Sequence, residues 1–451
     1  MRRLPDAASR GPSITLDLEG ESVPAIEGEP VACSLIAAGE PVLARSIKYH
    51  RARGPYCFSG ACSHCLMRVD GLPNVYTCRV PARDGMKLER QNAYPSAKVD
   101  VFEAIDWFFP KGLDHHEMFA GVPVAEQVMA KVARQLAGLG LLPTAPAPER
   151  PPMQTLRTRV AVVGAGAAGL TAAQVLAARS VPFLLLERDG VLGGRLLAGI
   201  PEADAPSLPE GLLPPASVRT RVTVIGLFDD EQGRFLAAVA DTSEGSRLLR
   251  VYAERFLLAP GGHPMMLPFE NNDLPGVYAS HAASLLVRRH GVAPQVAALV
   301  GSGPGLYALA RLMTQHGTKV AALVDLKGPV PADAPPGAVQ GSEPKAHGHN
   351  AVSAFSYQDA SGRRVKVSCD AVLVAVDKSP SFELARQGGA KVEFDEVREV
   401  FAVVADAEGR TAVPDVYVAG DVRGARSAAE AASDGRRVAE SLVGSLAGGQ
   451  S

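Results

Sequence analysis

Four of the six cysteines in this chain lie close together, at Cys57, Cys62, Cys65 and Cys78, in the spacing C-x4-C-x2-C-x12-C. Cysteine thiolates are ligands for zinc and for iron–sulfur clusters. Small residues such as Gly60 lie between the first three cysteines, so this loop can fold closely over a bound metal. The run therefore predicts a metal centre held by all four thiolates.

The spacing favours a [2Fe–2S] cluster. Plant-type [2Fe–2S] ferredoxins use a C-x4-C-x2-C run with a more distant fourth cysteine, and each iron takes two thiolates. Structural zinc usually has two separated C-x2-C pairs, and disulfides are unexpected in a long, otherwise cysteine-poor chain without a secretory signal. Zinc and disulfides remain the alternatives. Cys33 and Cys369 have no cysteine neighbours in sequence, and we expect them to be buried thiols that bind no iron.

A second chemical signal is a glycine-rich turn after Thr158. Gly164, Gly166 and Gly169 form G-x-G-x-x-G between a predicted strand and a predicted helix. In such a turn the glycines allow a tight bend, the close approach of a pyrophosphate and close helix–strand packing, while the helix N-terminus offers amide donors. Glu187 ends the next predicted strand, where it can bond a ribose hydroxyl. Together these features predict a dinucleotide site.

Two later segments resemble those of two-dinucleotide flavoproteins. The turn GGRL, 193–196, stands where that class has a turn close to the flavin. The segment TAVPDVYVAGDVRG, 411–424, stands where a strand delivers a Gly-Asp pair to the start of a helix, beside the ribityl chain and the flavin phosphate. The dinucleotide is therefore expected to be noncovalent FAD. The residues expected to contact it are Gly164, Gly166, Gly169, Glu187, Arg188, Gly194, Arg195, Gly420 and Asp421.

A second, less regular fingerprint spans 296–325. Gly301 and Gly303 match the first two glycines, but Leu306 stands where the third glycine or an alanine is expected. Asp325 ends the following predicted strand at the ribose position, where an acidic residue favours NAD over NADP. Three interpretations stay open for this segment: it binds NAD, it binds another adenine nucleotide, or it is a degenerate fold that binds nothing.

The predicted cluster and dinucleotide sites must be positioned by several domains, and a chain of 451 residues suggests about three domains. Strand, helix and turn signals predict a β-grasp [2Fe–2S] ferredoxin-like domain at 1–105, followed by a helical segment and a Pro-rich linker at 106–155. An FAD-binding domain is predicted at 156–275 and 390–451, with an NAD-binding-like domain between them at 276–389. The predicted fold class is α/β and α+β, a ferredoxin-like domain before a pair of Rossmann-type domains.

Charge and composition exclude some partners. The formal net charge is −2, so no global field favours nucleic acid or an anionic membrane. No apolar run follows the basic N-terminus, so no signal peptide is predicted. The charge-free stretch 160–178 contains several glycines, so no transmembrane segment is predicted there. We expect a cytoplasmic chain that meets a membrane only through partners. The basic stretch RSIKYHRARG, 45–54, is either a solvated approach to the cluster loop or a docking surface for a partner subunit or a cofactor phosphate.

From about residue 14 to 445, the chain resembles a known family. The resemblance is carried by the flavin fingerprint and by RSIKYHRARG (45–54), GLPNVYTCRV (71–80), QNAYPS (91–96) and PGGHPMMLPFENNDLPGVY (260–278). These segments are similar to the α subunits of heteromeric amine dehydrogenases and oxidases, which include sarcosine oxidase, opine oxidase and hydroxyproline dehydrogenase subunits and hydrogen cyanide synthase. Two features of this family are not expected here: the long folate-handling C-terminal domain of sarcosine oxidase α and the second, C-terminal cysteine motif of some opine-oxidase-type subunits.

The resemblance implies an FAD- and [2Fe–2S]-containing electron-transfer subunit of a heteromeric amino-acid dehydrogenase or oxidase. The implied substrates are D-amino acids, hydroxyproline, opines or sarcosine-type amines. In the family, the amino-acid C–N bond is oxidised at the flavin of a separate, D-amino-acid-oxidase-like β subunit, and electrons or intermediates then pass to the α subunit. FMN is a further cofactor that the family implies and that no motif places here. No catalytic residue is predicted in this chain.

Two other functions remain open from the residues themselves. One is a stand-alone NADH-dependent reductase, in which hydride passes from NADH to FAD and single electrons then pass through the cluster to an acceptor protein. The other is a scaffold, in which the nucleotide sites and the cluster are structural. Rapid bleaching of the flavin by NADH would favour the reductase. Bleaching only by an amino acid with a co-purified partner would favour the electron-transfer function.

Overall fold

The computed structural model describes residues 1–5, 11–47, 49–93, 95–103, 151–198, 213–242, 245–424 and 427–448. The chain forms two compact units. The first contains the described residues of Met1–Pro146 together with Met266–Val376, and the second contains those of Ala147–Met265 together with Asp377–Ser451. In the part of the chain described, every helix is too short or too polar to cross a membrane.

The N-terminal part of the first unit is a small sheet with one helix packed on it. Its elements are β1 (Arg2–Arg3), β2 (Ser13–Leu18), β3 (Glu21–Ile26), α1 (Val31–Ala37), β4 (Ala44–Arg45), β5 (Ala52–Arg53), β6 (Leu66–Val69), β7 (Leu72–Tyr76), β8 (Lys87–Glu89) and a 3-10 turn (Val101–Glu103). Five strands form a sheet in the order β3-β2-β8-β6-β7, with β2 and β8 parallel and the other neighbours antiparallel. This arrangement confirms the predicted β-grasp ferredoxin-like fold.

The second unit begins with a Rossmann-type half. Its elements are β9 (Met153–Val163), α2 (Ala167–Ala178), β10 (Phe183–Leu186), 3-10 turns (Gly194–Ala198 and Pro215–Ser217), β11 (Val218–Arg219), β12 (Val222–Asp230), β13 (Gly233–Thr242), β14 (Gly245–Leu258) and β15 (Gly262–Pro264). The strands β11, β10, β9 and β14 are parallel neighbours, and β13 and β12 continue the same sheet as antiparallel strands.

The second Rossmann-type domain belongs to the first unit. Its elements are β16 (Val277–Ala279), α3 (Ser280–His290), β17 (Val292–Ala293), β18 (Val296–Gly301), α4 (Pro304–Gln315), β19 (Lys319–Asp325), β20 (Ala338–Gly348), β21 (Val352–Asp359), β22 (Arg364–Ser368) and β23 (Ala371–Ala375). The seven-stranded sheet has the order β16-β23-β18-β19-β20-β21-β22. A second Rossmann-type domain was predicted here, and it is confirmed.

The last segment completes the second unit. Its elements are β24 (Lys378–Pro380), α5 (Glu383–Gln387), β25 (Val392–Asp395), β26 (Val400–Val403), β27 (Val416–Val418), a 3-10 turn (Gly420–Arg423) and α6 (Ala428–Gly448). Here β27 lies parallel to β14 in the large sheet, while β24 pairs with β15. The chain therefore returns to the first sheet before it forms the Gly-Asp turn.

The large sheet of the second unit is buried on both faces. Val160 and Val162 of β9 belong to one apolar cluster, with side chains of α2 and α6. Ala161 and Val163 belong to another, with side chains of β13 and α5. A parallel strand that is covered on both faces needs apolar residues at successive positions. This explains why β9 ends in a continuous apolar run before its glycine turn.

Within the first unit, the ferredoxin-like domain and the second Rossmann-type domain share one apolar core. The fully buried Arg45 joins them, because its guanidinium donates to two backbone carbonyls at 2.9 Å and to Asn350 Oδ1 at 2.6 Å. Arg53 forms an ion pair with Asp273. Two arginines of the basic stretch 45–54 are therefore structural, a role that neither sequence-based interpretation included.

The predicted fold class is confirmed, while the finer domain boundaries remain predictions. The helical and Pro-rich segment predicted at 106–155 lies outside the described residues as far as residue 150. Its last residues already belong to β9, which begins at Met153.

Candidate functional site

The cysteine run lies in two loops of the ferredoxin-like domain. Three of its cysteines lie between β5 and β6, and the fourth follows β7. The first loop is tightly curled, because Phe58, Gly60 and Ser63 all take left-handed backbone conformations, with φ of 50°, 74° and 57°. Three of the four cysteines are buried, namely Cys57, Cys65 and Cys78, and Cys62 is partly exposed.

The four thiols form two contacting pairs, Cys57 with Cys62 and Cys65 with Cys78. Among the described residues, no three of these four sulfurs lie within 4.8 Å of one another. A tetrahedral zinc with Zn–S bonds of about 2.3 Å would bring all four sulfurs to about 3.8 Å from one another. Two irons that each take two thiolates need two separate pairs. The geometry therefore suits a [2Fe–2S] cluster better than zinc.

Local hydrogen bonds favour the thiolate form of one cysteine in each pair and oppose it in the other. The Cys62 thiol donates to the Cys57 sulfur and lowers the pKa of Cys57, and the Ser59 N–H, at 3.4 Å, contributes in the same direction. In the second pair, the Cys78 thiol lowers the pKa of Cys65. The same bonds raise the pKa of the two donors, Cys62 and Cys78. Iron binds thiolates, so each pair begins with one ligand in the required form. N–H···S bonds of this kind are also among the features that set the potential of a cluster.

A second group of metal-type ligands in the first unit has a different character. The ligand atoms of Glu29, Cys33 and His290 lie within 4.8 Å of one another in buried surroundings. Burial raises the pKa of Glu29, but hydrogen bonds from Arg3 and Ser34 outweigh it and lower the pKa below its ordinary value. The Arg3 guanidinium donates to both carboxylate oxygens, and its charge opposes a metal cation there. We interpret this group as a buried polar cluster.

In the second unit, the first glycine fingerprint forms the turn between β9 and α2. Gly164 takes a φ of +92°, and a Cβ there would lie 2.3 Å from the Ala259 oxygen. Gly166 is the N-cap of α2, and a Cβ there would meet no atom within 4 Å. The space beside the helix N-terminus is therefore open, and the first amides of α2 can donate to an anionic group there.

Close packing holds three further segments at this turn. A Cβ on Gly169 would lie 1.9 Å from the Gly164 oxygen, so only glycine lets α2 lie this close to the turn. A Cβ on Gly420 would lie 2.7 Å from the Ala168 Cβ, and one on Gly435 would lie 2.2 Å from the Ala168 oxygen. The Gly-Asp turn and α6 therefore both contact the start of α2. Sequence analysis missed Gly435, although a glycine inside a predicted helix was a usable signal.

Glu187 follows β10 and is tied to the glycine turn. Its carboxylate accepts the N–H groups of Ala165 and Asp189, each at 2.7 Å. Burial raises the pKa of Glu187, and these two hydrogen bonds oppose the rise. Each oxygen keeps a lone pair for a ribose hydroxyl. Arg188 lies beside it and is exposed.

The turn that begins at Gly194 lies over the glycine fingerprint, since a Cβ on Gly194 would lie 3.1 Å from the Gly166 Cα. Arg195 Nη1 lies 3.8 Å from Asp421 Oδ2. In the described part of the chain, this Nη1 is buried and has no hydrogen-bond partner. A buried guanidinium nitrogen without an acceptor, beside an open helix N-terminus, fits an anionic dinucleotide such as FAD.

The Gly-Asp pair lies in a turn between β27 and α6. Gly420–Arg423 form a 3-10 turn that ends at Gly424, with φ of +86°, and α6 begins at Ala428. The predicted order of strand, Gly-Asp pair and helix is therefore observed. The Asp421 carboxylate accepts from Lys378 Nζ at 2.8 Å. Sequence analysis missed Lys378, because no local pattern links residues that lie so far apart in the chain.

The second fingerprint, in the first unit, forms the turn between β18 and α4. A Cβ on Gly301 would lie 1.8 Å from the Ala375 oxygen, and Gly303 takes a φ of +77°. Leu306, which replaces the third glycine, is completely buried. Pro304 is the first residue of α4, and it removes one of the amide donors that a helix N-terminus would offer to a phosphate.

Asp325 ends β19 as predicted and is buried. Its carboxylate accepts the Lys327 N–H at 3.0 Å and the Tyr307 hydroxyl at 2.7 Å. Burial and the bond to Asp325 raise the pKa of Tyr307 to about 12. The acid at the ribose position is therefore already engaged by a side chain of α4. Sequence analysis missed Tyr307, which directly follows the irregular Leu306.

Two regions of the chain match the models of known protein families. Residues 11–93 match the family model described as "2Fe-2S iron-sulfur cluster binding domain". Residues 158–435 match the model described as "Pyridine nucleotide-disulphide oxidoreductase", which is more than half of the 451 residues. Both matches agree with the predicted cofactors, FAD and [2Fe–2S].

Curated relatives cover more of the chain at lower identity. The alpha subunit of sarcosine oxidase from Rhizobium meliloti (strain 1021) is 26% identical over 471 residues, covering 97% of this chain and 46% of the relative. An opine oxidase subunit from Agrobacterium tumefaciens (strain Ach5) is 25% identical over 328 residues, covering 63% of this chain and 65% of the relative. The chain thus spans about half the length of the sarcosine oxidase subunits it matches.

The fold is shared with a solved enzyme. L-proline dehydrogenase from P. horikoshii superposes with a TM-score of 0.70 at 21% identity, covering 99% of this chain and 76% of that chain. The expected resemblance to the α subunits of heteromeric amine oxidases is confirmed, as are the predicted cofactors. The chain belongs to the pyridine nucleotide-disulphide oxidoreductase family and carries an N-terminal 2Fe-2S cluster-binding domain.

Proposed function

We propose that this chain is the electron-transfer subunit of a heteromeric dehydrogenase or oxidase that acts on an amino-acid C–N bond. The observation that carries the proposal is the order of its two redox regions, cluster-binding and then flavin-binding, within an alignment to the alpha subunit of sarcosine oxidase over 97% of the chain. The substrate class is a D-amino acid, hydroxyproline, an opine or a sarcosine-type amine. The relatives are named as subunits, which supports a second chain as partner.

The proposed ligands of the cluster are Cys57, Cys62, Cys65 and Cys78, two for each iron in the pairs that contact one another. The proposed FAD contacts are the glycine fingerprint, Glu187 and Asp421, together with Arg188, Gly194, Arg195 and Gly420. When bound, FAD exchanges electron pairs and the cluster exchanges single electrons. A chain with both sites can therefore connect a two-electron oxidation to a one-electron acceptor.

The two carboxylates among the proposed FAD contacts have structural partners. Glu187 accepts two backbone N–H groups, and Asp421 is paired with Lys378 and lies near Arg195. A general base must be free to accept a substrate proton. This engagement supports a division of labour in which amino-acid oxidation takes place on a D-amino-acid-oxidase-like β subunit with its own FAD, and this chain receives the electrons.

The test compares the chain alone, the partner alone and the two together, with a dye as electron acceptor. Proline, hydroxyproline, sarcosine and opines are the substrates. We expect turnover to require the β subunit, and dye reduction to be fastest with both chains present. If the single chain oxidised any of these substrates at enzyme-like rates, the active site would lie in this chain and the proposal would be wrong.

A stand-alone NADH-dependent reductase is the second candidate. Asp325 at the ribose position favours it, whereas Pro304 and the bond from Tyr307 oppose it. Anaerobic mixing with NADH separates the two candidates. Rapid loss of flavin absorbance without any amino acid supports the reductase, and an unchanged flavin supports the electron-transfer function.

The cluster assignment has its own test. Cys65→Ser should remove the visible iron–sulfur absorption and the EPR signal of the reduced protein, while FAD content stays near that of the parent chain. Cys33→Ser is the matched control, because Cys33 is also buried but is not a proposed ligand, and it should keep the cluster. A native cluster at full occupancy in Cys65→Ser would refute the assignment.

A further inference from the structure

Lys378 brings a positive charge to the proposed flavin site. It begins β24, which pairs with β15 in the second unit. Its Nζ donates to Asp421 Oδ1 at 2.8 Å, and the two side chains are only 17% and 10% exposed. The ion pair is therefore largely withdrawn from water, at one of the residues proposed to contact FAD.

A second cation lies near the same carboxylate. Arg195 Nη1 is 3.8 Å from Asp421 Oδ2, and among the described residues it is buried without a hydrogen-bond partner. Two cations and one carboxylate leave one positive charge in excess. The Arg195 side chain as a whole is 34% exposed, but its Nη1 is shielded from water and lacks an acceptor, so the arrangement favours a ligand that carries or gains negative charge.

A simple stabilising ion pair does not explain this group. Lys378 alone compensates Asp421, and the Arg195 Nη1 then lacks an acceptor among the described residues. The turn that carries Arg195 lies over Gly166, so this guanidinium belongs to a segment that packs on the glycine fingerprint. We therefore assign the positive charge to the proposed cofactor site.

We propose that Lys378 is a positioning residue of the flavin site, which fixes the Asp421 carboxylate and favours reduced over oxidised FAD through its charge. This inference rests on the proposed FAD site. Reduction brings two electrons into the flavin ring, and when one proton accompanies them the bound cofactor becomes one unit more negative. A nearby cation in poorly hydrated surroundings stabilises that form more than the oxidised form.

The experiment measures the flavin midpoint potential of the full FAD-containing chain by anaerobic dithionite titration against a reference dye. Lys378→Met removes the charge, and Lys378→Arg keeps it. Lys391→Met is the matched control, because Lys391 pairs with Glu393 in the same unit, with side chains 67% and 53% exposed. For a variant that binds FAD weakly, the ratio of the Kd values for oxidised and reduced FAD gives the same quantity.

We expect Lys378→Met to weaken the binding of reduced FAD about tenfold more than that of oxidised FAD. For a two-electron couple this corresponds to a fall of about 30 mV in midpoint potential. Lys378→Arg should restore most of the ratio, and Lys391→Met should leave it unchanged.

The possible failures are distinguishable. If Lys378→Met weakened oxidised and reduced FAD equally, or weakened neither, the ratio of their Kd values would be unchanged. Lys378 would then have only a structural role, and the inference would be overturned. Failure of the parent chain to bind FAD at all would overturn the proposed FAD site itself.

Discussion

The two glycine fingerprints share their first two glycines and a terminal acid, but the acid has different partners in each. In the first, Glu187 accepts the Ala165 N–H, so the carboxylate is tied to the turn that would hold the pyrophosphate. In the second, Asp325 accepts the Tyr307 hydroxyl, so the carboxylate is tied to the helix. Glu187 stays beside an open turn. A ribose at Asp325 would have to share the carboxylate with the Tyr307 hydroxyl or displace it.

The helix starts differ as well. In the first fingerprint Ala167 begins α2 with its amide intact, and Gly169 lets the helix lie against the turn. In the second, Pro304 begins α4 and the buried Leu306 replaces the third glycine. Glycine spacing thus specifies the shape of the turn, while free donors and acceptors decide whether the turn can bind a dinucleotide.

The largest effect is expected from Gly166→Val. A Cβ at this position meets no atom of the chain within 4 Å, so the variant should fold, but the added side chain would occupy the space proposed for the pyrophosphate. Purified protein should therefore contain almost no FAD, measured from the flavin released on denaturation.

The matched control for that variant is Gly305→Val. Gly305 has equally open surroundings in the second fingerprint, and its substitution should leave FAD content unchanged. A Gly166→Val protein with near-stoichiometric FAD would mean that the cofactor does not lie on this turn, and the comparison of the two fingerprints would lose its basis.

A smaller effect is expected on stability from Gly169→Ala. The new methyl group would lie 1.9 Å from the Gly164 oxygen, and overpacking of this kind typically costs about 1–3 kcal/mol. Gly305→Ala, with no atom within 4 Å, should stay within about 0.5 kcal/mol of the parent chain. Urea unfolding followed by circular dichroism gives both values. Equal effects would show that the Gly164 carbonyl does not restrict the side chain at position 169.

The sequence predicted those parts of the molecule that are specified by short spacings. The cysteine run and the first glycine fingerprint were readable because neighbouring residues form each site. Lys378 was not predictable, since its partner Asp421 is 43 positions away and only the tertiary fold joins them. The stretch that contains Arg45 was interpreted as surface for the same reason, because the Ala97 carbonyl and the Asn350 side chain that accept from its guanidinium come from distant segments.

Tyr307→Phe tests the engagement of Asp325 and should have a moderate effect on stability. Removing the hydroxyl leaves a buried carboxylate oxygen without its donor, which costs about 1–3 kcal/mol. The folded-state pKa of Tyr307 is raised from 10.0 to about 12, so its contribution is complete below pH 10 and is lost as the pH rises towards 12. The stability difference between parent and variant, measured by urea unfolding, should narrow across that interval. A difference independent of pH would show that the tyrosine hydroxyl is not the group responsible.

The smallest effect is expected from Pro304→Ala, which restores one amide donor at the start of α4. A hydrogen bond contributes about 0.5–1.5 kcal/mol net, so binding of NADH or ADP to the second fingerprint should tighten by about two- to tenfold. Gly305→Ala is the control, since it changes the same helix turn without adding a donor, and it should not tighten binding. Isothermal titration calorimetry on the FAD-loaded chain measures all three proteins. If Pro304→Ala left the affinity unchanged while nucleotide still bound, the phosphate would not lie at this helix N-terminus, and the missing amide would not be what separates the second fingerprint from the first.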